Sequence, residues 1–160
     1  MIDGVKNIII EHPIDCNELN VKGYIDMVVE TDDGEIFAYD FKTVGSWSWK
    51  FKFGKMKEAK PSFHQELQLG TYGYALKEEF GRCDGLALIY YNKDTSTIKQ
   101  CEVSLEFIDQ AYVYWQGVID SHKSTRNIGN YALPPLQEGV APVMDWECKY
   151  CNFKEICDER

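Results

Sequence analysis

The sequence predicts an α/β fold in which helices flank a central mixed β-sheet. Runs rich in apolar and β-branched residues, typical of strands, alternate with segments whose apolar residues recur at helical spacing. Strands interrupted by helices indicate layers of sheet and helix. The chain has 160 residues, 44% of them hydrophobic, enough for one domain with a buried core. The strand-like runs are residues 7–11, 21–30, 35–41, 84–91 and 98–103, and the helix-like segments are residues 62–80 and 105–119.

The first strand is expected to stop at His12-Pro13, because a residue before proline favours a turn, and His12 is interpreted as a turn residue. The next two runs flank Asp32-Asp33-Gly34, a turn signal that predicts a β-hairpin. Asp26 lies near the start of the first hairpin strand and Asp40 near the end of the second. Pairing across the turn would therefore bring both carboxylates to the same end of the hairpin.

Two converging carboxylates are a plausible half-site for a hard cation such as Mg²⁺, which prefers oxygen ligands. Lys42 follows Asp40 at the spacing that puts both side chains on one face of a strand, while Phe41 is expected to point into the core. The competing interpretation is a solvated hairpin end that carries ordinary surface charges.

Aromatic and polar residues alternate after the hairpin, over residues 43–60, and lysines follow them. The alternation predicts either a strand with its aromatic residues on one side or an extended loop. Aromatic rings stack on unpaired bases and lysines follow a phosphate backbone, so the segment suits single-stranded DNA. An aromatic edge strand blunted by lysines is the structural alternative. The candidate DNA contacts are Trp47, Trp49, Lys50, Lys52, Lys55, Lys57 and Lys60.

The helix-like segment at residues 62–80 begins with Ser62 as a candidate N-cap and Gln65 as its capping-box partner, and it ends at Gly81. Gln68 and Tyr72 lie one turn apart, hence on one face of this helix. A buried tyrosine with a glutamine partner is the simpler explanation of the pair. His64 in the first turn is interpreted as a structural or solvated residue.

In order and spacing, these motifs resemble the RecB-like branch of the PD-(D/E)xK nuclease superfamily. The resemblance implies a restriction-endonuclease-like core and a DNA exonuclease that acts in DNA processing or recombination. It also implies that Asp26 and Asp40 ligate Mg²⁺ or Mn²⁺, that Lys42 positions or activates the attacking water, and that Gln68 and Tyr72 support substrate and lysine. Glu11 resembles an acid of the family's first core strand and is a further candidate metal ligand.

Three cysteines near the C-terminus, Cys148-x-x-Cys151-x5-Cys157, resemble the run that holds a [4Fe–4S] cluster in AddB-type and CRISPR-adaptation nucleases. An iron–sulfur cluster or a zinc site needs a fourth ligand, for which Cys16 is the best candidate, because Cys83 and Cys101 look like core residues. His12 or water could also complete a zinc site. The resemblance predicts a C-terminal metal clip at residues 145–160, joined by a loop at residues 125–144 to a nuclease core at residues 1–124.

Composition restricts these expectations. The net charge of −9 argues against a protein that binds DNA over its whole surface, because DNA affinity depends largely on positive charges that neutralise phosphates. Any DNA contact must therefore be local. There is no signal-peptide pattern and no apolar run of about 18 residues, so the expected location is the cytoplasm, without membrane contact, in a bacterial, archaeal or phage-encoded setting. Expected partners are DNA, single-stranded or with free ends, and recombination or replication proteins.

One departure from the family keeps two alternatives open. Many RecB-like nucleases carry a metal-binding histidine and the first cluster cysteine in helices upstream of the first core strand, and this chain begins too late to contain them. The chain is therefore either a nuclease, a catalytically weak or inactive nuclease-fold protein that binds nucleic acid or a recombination partner, or a fragment of a longer protein.

Overall fold

A computed structural model describes residues 4–54 and 62–127, together with residues 150 and 152. The described residues form five strands and three helices. The strands are β1 (Val5–Cys16), β2 (Val21–Thr31), β3 (Ile36–Val44), β4 (Gly85–Asn92) and β5 (Thr97–Val103), and the helices are α1 (Ser46–Phe53), α2 (Phe63–Phe80) and α3 (Glu106–Asn127).

The five strands make one sheet in the order β1-β2-β3-β4-β5. Every neighbouring pair is antiparallel except β3 and β4, which are parallel. Parallel neighbours need a crossover connection, and α1 and α2 lie within it. The predicted α/β fold with a mixed central sheet and helices is therefore confirmed.

The hairpin is also as predicted. Strands β2 and β3 pair antiparallel from Met27 opposite Tyr39 to Glu30 opposite Ile36. Gly34 closes the turn with a φ of 76°, in the left-handed region that glycine tolerates best, and its N–H donates to the carbonyl of Thr31 at 2.9 Å.

The prediction that the first strand stops at His12-Pro13 is wrong. Strand β1 continues through both residues to Cys16, with Pro13 opposite Tyr24 of β2. An edge strand tolerates proline because one side of its backbone has no ladder partner. His12 is not a turn residue either, since it is buried in β1 and its Nε2 lies 2.8 Å from Glu79 Oε2 of α2.

The described part of residues 43–60 is neither the expected strand nor an extended loop beyond Val44, because α1 begins at Ser46. The carboxylate of Asp94, in the turn between β4 and β5, accepts a hydrogen bond from the Ser46 backbone N–H at 2.6 Å and so satisfies one free donor of the first turn. Ser46 and Asp94 are far apart in the sequence, so the alternation of aromatic and polar residues near Ser46 could not predict this contact.

Helix α2 begins and ends as predicted. The Ser62 backbone N–H donates to Gln65 Oε1 at 3.2 Å, and Gly81 ends the helix in the left-handed region with a φ of 76°. Helix α3 approaches α2 closely at Gly70, where an added Cβ would lie only 2.0 Å from the carbonyl oxygen of Phe107. Glycine at that position lets the two backbones come together.

The main core lies between one face of the sheet and these helices. It contains side chains from β1 to β5, α2 and α3, among them Ile25, Leu69, Leu76, Leu88 and Ile108.

A smaller cluster of Val29, Tyr39 and Ala87 forms separately from the main core. The expectation that Phe41 points into the core is wrong, because its side chain remains 47% exposed. Alternation along β3 does turn Phe41 away from Asp40 and Lys42, as predicted, but towards a partly exposed surface.

The chain divides into two compact units, residues 1–116 and 117–160. The predicted connecting loop and cysteine segment fall almost wholly outside the described residues, so those boundaries remain predictions. No helix within residues 4–54 or 62–127 is long and apolar enough to cross a membrane.

Candidate active site

The hairpin brings Asp26 and Asp40 to the same end of adjacent strands. Met27 pairs with Tyr39, so each aspartate is the next residue towards the open end of the ladder. Asp26 Oδ2 accepts a hydrogen bond at 2.7 Å from the backbone N–H of Phe41, the residue between Asp40 and Lys42. The backbone of β3 therefore holds Asp26 beside these two side chains.

Asp40 is buried, with 2% of its surface exposed. Lys42 Nζ lies 2.6 Å from Asp40 Oδ2, which makes a close ion pair. Apart from this ion pair, the buried oxygen has no hydrogen-bond partner among the described residues. Burial raises the pKa of the Asp40 carboxyl above its usual value, and nearby Lys42 only partly opposes that effect.

A chain of polar contacts runs from Asp40 across to α2. Lys42 Nζ donates to Gln68 Oε1 at 2.8 Å, and Gln68 Nε2 donates to the Tyr72 hydroxyl oxygen at 2.8 Å. Burial raises the pKa of Tyr72, and the charges of Asp40 and Asp26 raise it further. The structure thus brings together the five residues that the sequence selected as catalytic: Asp26, Asp40, Lys42, Gln68 and Tyr72.

The backbone is irregular at this level of the sheet. Ile25 and Val28 of β2 pack into the same core cluster, although simple alternation would put them on opposite faces. Glu11 of β1 lies between Ile10 and His12, which pair with Met27 and Ile25 of β2, and its φ of 53° is unusual for a residue other than glycine. Unusual backbone conformations persist where surrounding structure enforces them, and functional sites are one such place.

The carboxylates fit a divalent metal ion through their chemistry. The resemblance described above implies such an ion, and Mg²⁺ typically binds one or two carboxylates while keeping water and phosphate oxygens as its other ligands. The carboxylates of Asp26 and Asp40 match that requirement, and Asp40 Oδ2 makes an ion pair with Lys42 but accepts no hydrogen bond from the described residues. Glu11 does not complete a larger group, because the described residues contain no set of three His, Cys, Asp or Glu side chains placed to hold a metal.

Helix α1 separates the predicted DNA contacts into two kinds. The rings of Trp47 and Phe51 contact each other in a tilted arrangement, with centroids 4.4 Å apart, and the two residues are 74% and 53% exposed. Trp49 and Phe53 make a similar tilted contact, with ring centroids 4.5 Å apart, but both pack against the main core. The four aromatic residues that alternate in sequence are thus two pairs, each spaced one helical turn apart.

The predicted lysine contacts also differ. Lys50 is exposed, whereas Lys52 Nζ lies 5.0 Å from the centre of the Tyr90 ring and donates to Gln65 Oε1 at 3.3 Å. Burial lowers the pKa of Lys52. Lys55, Lys57 and Lys60 lie outside the described residues.

The cysteines are described only in part. Cys16 is buried at the end of β1 and forms no disulfide. Cys83 is buried and Cys101 packs against the core, as predicted, and burial raises the pKa of the Cys83 thiol to about 11. Cys148, Cys151 and Cys157 lie outside the described residues, so the metal clip remains a prediction.

A pocket of about 410 Å³ adjoins the polar chain and contains side chains that the sequence did not single out. Gln68 and Tyr72 contribute to its wall, and Tyr114 and Trp115 of α3 line it as well. His64 also lines this pocket, and its Nε2 is buried without a hydrogen-bond partner among the described residues. Only the packing of α3 on α2 identifies Tyr114 and Trp115 as pocket residues, since their spacing within α3 is that of an ordinary amphipathic helix.

Sequence comparison decides the family. The profile of the PD-(D/E)XK nuclease superfamily matches residues 3–158. The chain belongs to this superfamily. Its membership confirms the resemblance to the RecB-like branch, and nucleases of the superfamily generally use divalent metal ions.

Two relatives of this superfamily member are longer than the chain. The CRISPR-associated exonuclease Cas4 of Saccharolobus solfataricus is 25% identical over 137 residues, which cover 86% of this chain and 52% of Cas4. The crystal structure of SSO0001 matches with 20% identity and a TM-score of 0.46, covering 96% of this chain and 61% of that one. The chain thus spans only about half to three-fifths of these relatives.

Proposed function

We propose that this protein is a divalent-metal-dependent deoxyribonuclease that removes nucleotides from the ends of DNA, in DNA processing or recombination. The observation that carries the proposal is the connected set of Asp40, Lys42, Gln68 and Tyr72, with Asp26 held against the same stretch of backbone. Membership of the nuclease superfamily and the similarity to an enzyme named as an exonuclease support the same reading.

Asp26 and Asp40 would hold the metal ion. When bound, a divalent cation supplies positive charge that stabilises the negative charge developing on phosphate oxygens during hydrolysis. The same positive charge would make ionised Asp40 favourable in its buried position, where the protein alone raises the pKa of this carboxyl.

Lys42 would orient the water that attacks the phosphodiester. Its ammonium lies between Asp40 Oδ2 and Gln68 Oε1, so two oxygen atoms fix its position. Gln68 is fixed in turn by Tyr72, and α2 supplies both side chains. These contacts immobilise Lys42 before substrate arrives, which reduces the reorganisation that the reaction requires.

Helix α1 is the proposed contact for a DNA strand beyond the site. Trp47 and Phe51 present exposed rings on which unpaired bases would stack, and exposed Lys50 would meet phosphate. Trp49 and Lys52 are better placed to hold α1 against the sheet, because both side chains contact other residues there. The helix follows β3 directly, so it is close in sequence to the proposed catalytic lysine.

The test is cleavage of end-labelled single-stranded DNA in Mg²⁺ or Mn²⁺. Lys42→Ala should lower the cleavage rate by a factor of about 10² to 10⁴, the usual contribution of a positioned group that assists proton transfer, without weakening DNA binding. Lys6→Ala is the matched control, since Lys6 also makes a 2.6 Å ion pair with an acid of the sheet, Glu30. Wild-type activity in Lys42→Ala would refute the assignment.

The alternative is a nuclease-fold protein that binds nucleic acid or a recombination partner without efficient cleavage. One observation favours it: the described residues contain no group of three possible ligands for a metal ion. A metal ion held by only two carboxylates binds more weakly than one held by three or more protein ligands, and weak metal binding would slow cleavage. Absence of any cleavage, combined with DNA binding that depends on Trp47, would support this second function.

The C-terminal cysteines are proposed to hold a [4Fe–4S] cluster or a zinc ion that clips the chain terminus. Cys148, Cys151 and Cys157 would supply three soft ligands, and Cys16, a buried cysteine without a disulfide, is the candidate for the fourth. Iron and zinc analysis of anaerobically purified protein tests this directly. The expected content is one cluster or one zinc ion per chain, lost in Cys148→Ser and retained in Cys83→Ser. A metal-free wild-type protein would refute it.

A further inference from the structure

The pocket beside Gln68 and Tyr72 has the size and lining of a site for one unpaired nucleobase. Its volume of about 410 Å³ falls within the range of small-ligand pockets. Two of its aromatic residues, Tyr114 and Trp115, are neighbours on α3, with ring centroids 5.2 Å apart. Flat aromatic rings are the surfaces on which proteins stack single nucleic-acid bases.

Two successive hydrogen bonds to α2 fix the orientation of the Trp115 side chain. Its indole N–H donates to Thr71 Oγ1 at 2.9 Å, and that hydroxyl donates to the carbonyl of Leu67 at 2.8 Å. These bonds satisfy the polar atoms of Trp115 and Thr71 within the protein. The indole ring is therefore held rigidly, and a rigid ring loses little conformational freedom when a base stacks on it.

His64 adds a polar group to this lining. Its Nε2 is buried and has no hydrogen-bond partner among the described residues, although a buried polar atom normally has one. Because this atom is shielded from water, the His64 ring must turn for a base in the pocket to supply the missing partner, and the edge of a base carries the donors and acceptors needed.

The pocket connects to the proposed catalytic residues through Gln68 and Tyr72. Both side chains line it, and Gln68 accepts the hydrogen bond from Lys42 at 2.8 Å. A base in the pocket therefore lies one side chain away from the lysine that would orient the attacking water. This places the pocket close to the phosphate that is cut.

From this geometry we propose that the pocket holds the base of a nucleotide next to the scissile phosphate, and that Trp115 and His64 recognise it. The inference rests on the proposed nuclease function and adds to it a defined substrate: the nucleotide in the pocket must be unpaired. A base in a duplex cannot enter without leaving its stack, so an end must fray or already be single-stranded before it is processed.

Gly23 of β2 offers a way to fill this pocket. It lines the pocket, and an added Cβ would contact only Ile14 Cγ1, at 3.9 Å. Its φ lies outside the positive range, so a larger residue is not strained there. Gly23→Leu should therefore occupy the pocket while the fold is kept, and Trp115→Ala should remove the stacking surface.

The experiment measures kcat/KM on single-stranded oligonucleotides that carry one abasic site, moved one position at a time from the end. In the wild-type protein, the abasic site should lower kcat/KM by about tenfold or more at one position, as expected when a stacked base is lost. Gly23→Leu and Trp115→Ala should lower kcat/KM on the intact strand and remove the sensitivity at that position. Trp115→Phe should retain it, and so should Val113→Ala, an exposed position on the same helix.

The outcomes separate this inference from the proposed function. Cleavage that is insensitive to abasic sites everywhere, or sensitivity that survives in both pocket variants, would overturn the base pocket and leave the nuclease assignment intact. If the wild-type protein cuts no DNA, the nuclease proposal fails, and calorimetric titration with deoxynucleoside monophosphates tests the pocket instead. Saturable binding that is lost in Gly23→Leu would support it, and no binding to the wild-type protein would overturn it.

Discussion

An aspartate lies near each end of β3, and the surroundings of the two aspartates shift the pKa values of their carboxyls in opposite directions. At its start, Asp84 accepts a hydrogen bond from the Ile36 backbone N–H at 2.8 Å and two from Arg82, each at 2.7 Å. These bonds hold the pKa of Asp84 below its usual value. Towards the other end, burial raises the pKa of Asp40, whose Oδ2 has no hydrogen-bond partner among the described residues.

The difference separates a structural acid from a proposed functional one. Asp84 is satisfied within the protein and fastens the first residue of β3, which makes it stabilising as it stands. Asp40 is buried in its charged form at a cost that the protein does not fully offset. A positively charged ligand would offset it, so the two carboxylates should respond in opposite ways to substitution.

The largest expected effect is the loss of activity in Asp40→Asn. Removing one preorganised charge from the site should lower the cleavage rate at least about 10²-fold. The free energy of unfolding in metal-free buffer should change little, because relief of the cost of burying the Asp40 charge is opposed by loss of the ion pair with Lys42. Urea denaturation and the DNA cleavage assay measure both; a variant that is clearly less stable than the wild type would show that Asp40 is structural, like Asp84.

Asp84→Ala should do the reverse. It leaves the Ile36 N–H without its acceptor and should lower the free energy of unfolding by about 1–3 kcal/mol. Cleavage per folded molecule should not change, since Asp84 bonds to the beginning of β3 and Asp40 lies near its other end. Loss of activity without loss of stability would break the contrast between the two ends.

A third expectation concerns α1, which follows the Asp40 end of β3. Trp47→Ala should weaken binding of single-stranded DNA by about fivefold or more, because a stacking surface for a base is lost. Ser48→Ala on the same helix is the control, as Ser48 is also exposed. The free energy of unfolding should hardly change in either variant, because Trp47 is 74% exposed. Equal affinities of the two variants would remove α1 from the proposed DNA path.

The smallest effect is the pH dependence of the Asp84 contribution. Because its pKa is lower in the folded protein than in the unfolded chain, Asp84 stabilises the fold above the unfolded pKa of about 3.9. That stability is lost as the pH falls through the folded pKa. The difference in unfolding free energy between wild type and Asp84→Asn should therefore shrink below about pH 4. A difference that grows on acidification would contradict the assigned role.

The hairpin was predictable because its signals are local. Asp32-Asp33-Gly34 fixes the turn, and the turn fixes which residues meet at the far end, so Asp26 and Asp40 follow from the sequence. The cap of α2 by Ser62 and Gln65 is equally local, and it places Gln68 and Tyr72.

The errors arose where distant contacts decide the structure. Alternating aromatic residues suggested an extended segment, yet a helix begins at Ser46, whose backbone N–H donates to the carboxylate of Asp94. Pro13 suggested a strand end, yet β1 is an edge strand and continues. The pocket was not predictable at all, because Trp115 reaches it only through the close approach of α3 to Gly70.

The most direct test of the central claim is calorimetric titration with Mn²⁺, with and without a short single-stranded DNA. The wild-type protein should bind Mn²⁺ in a saturable manner, and Asp26→Asn and Asp40→Asn should each abolish or strongly weaken that binding. Asp84→Asn, which alters a carboxylate outside the proposed site, should bind like the wild type. Binding that is absent, or that survives in both site variants, would contradict a metal-dependent nuclease site at this end of the hairpin.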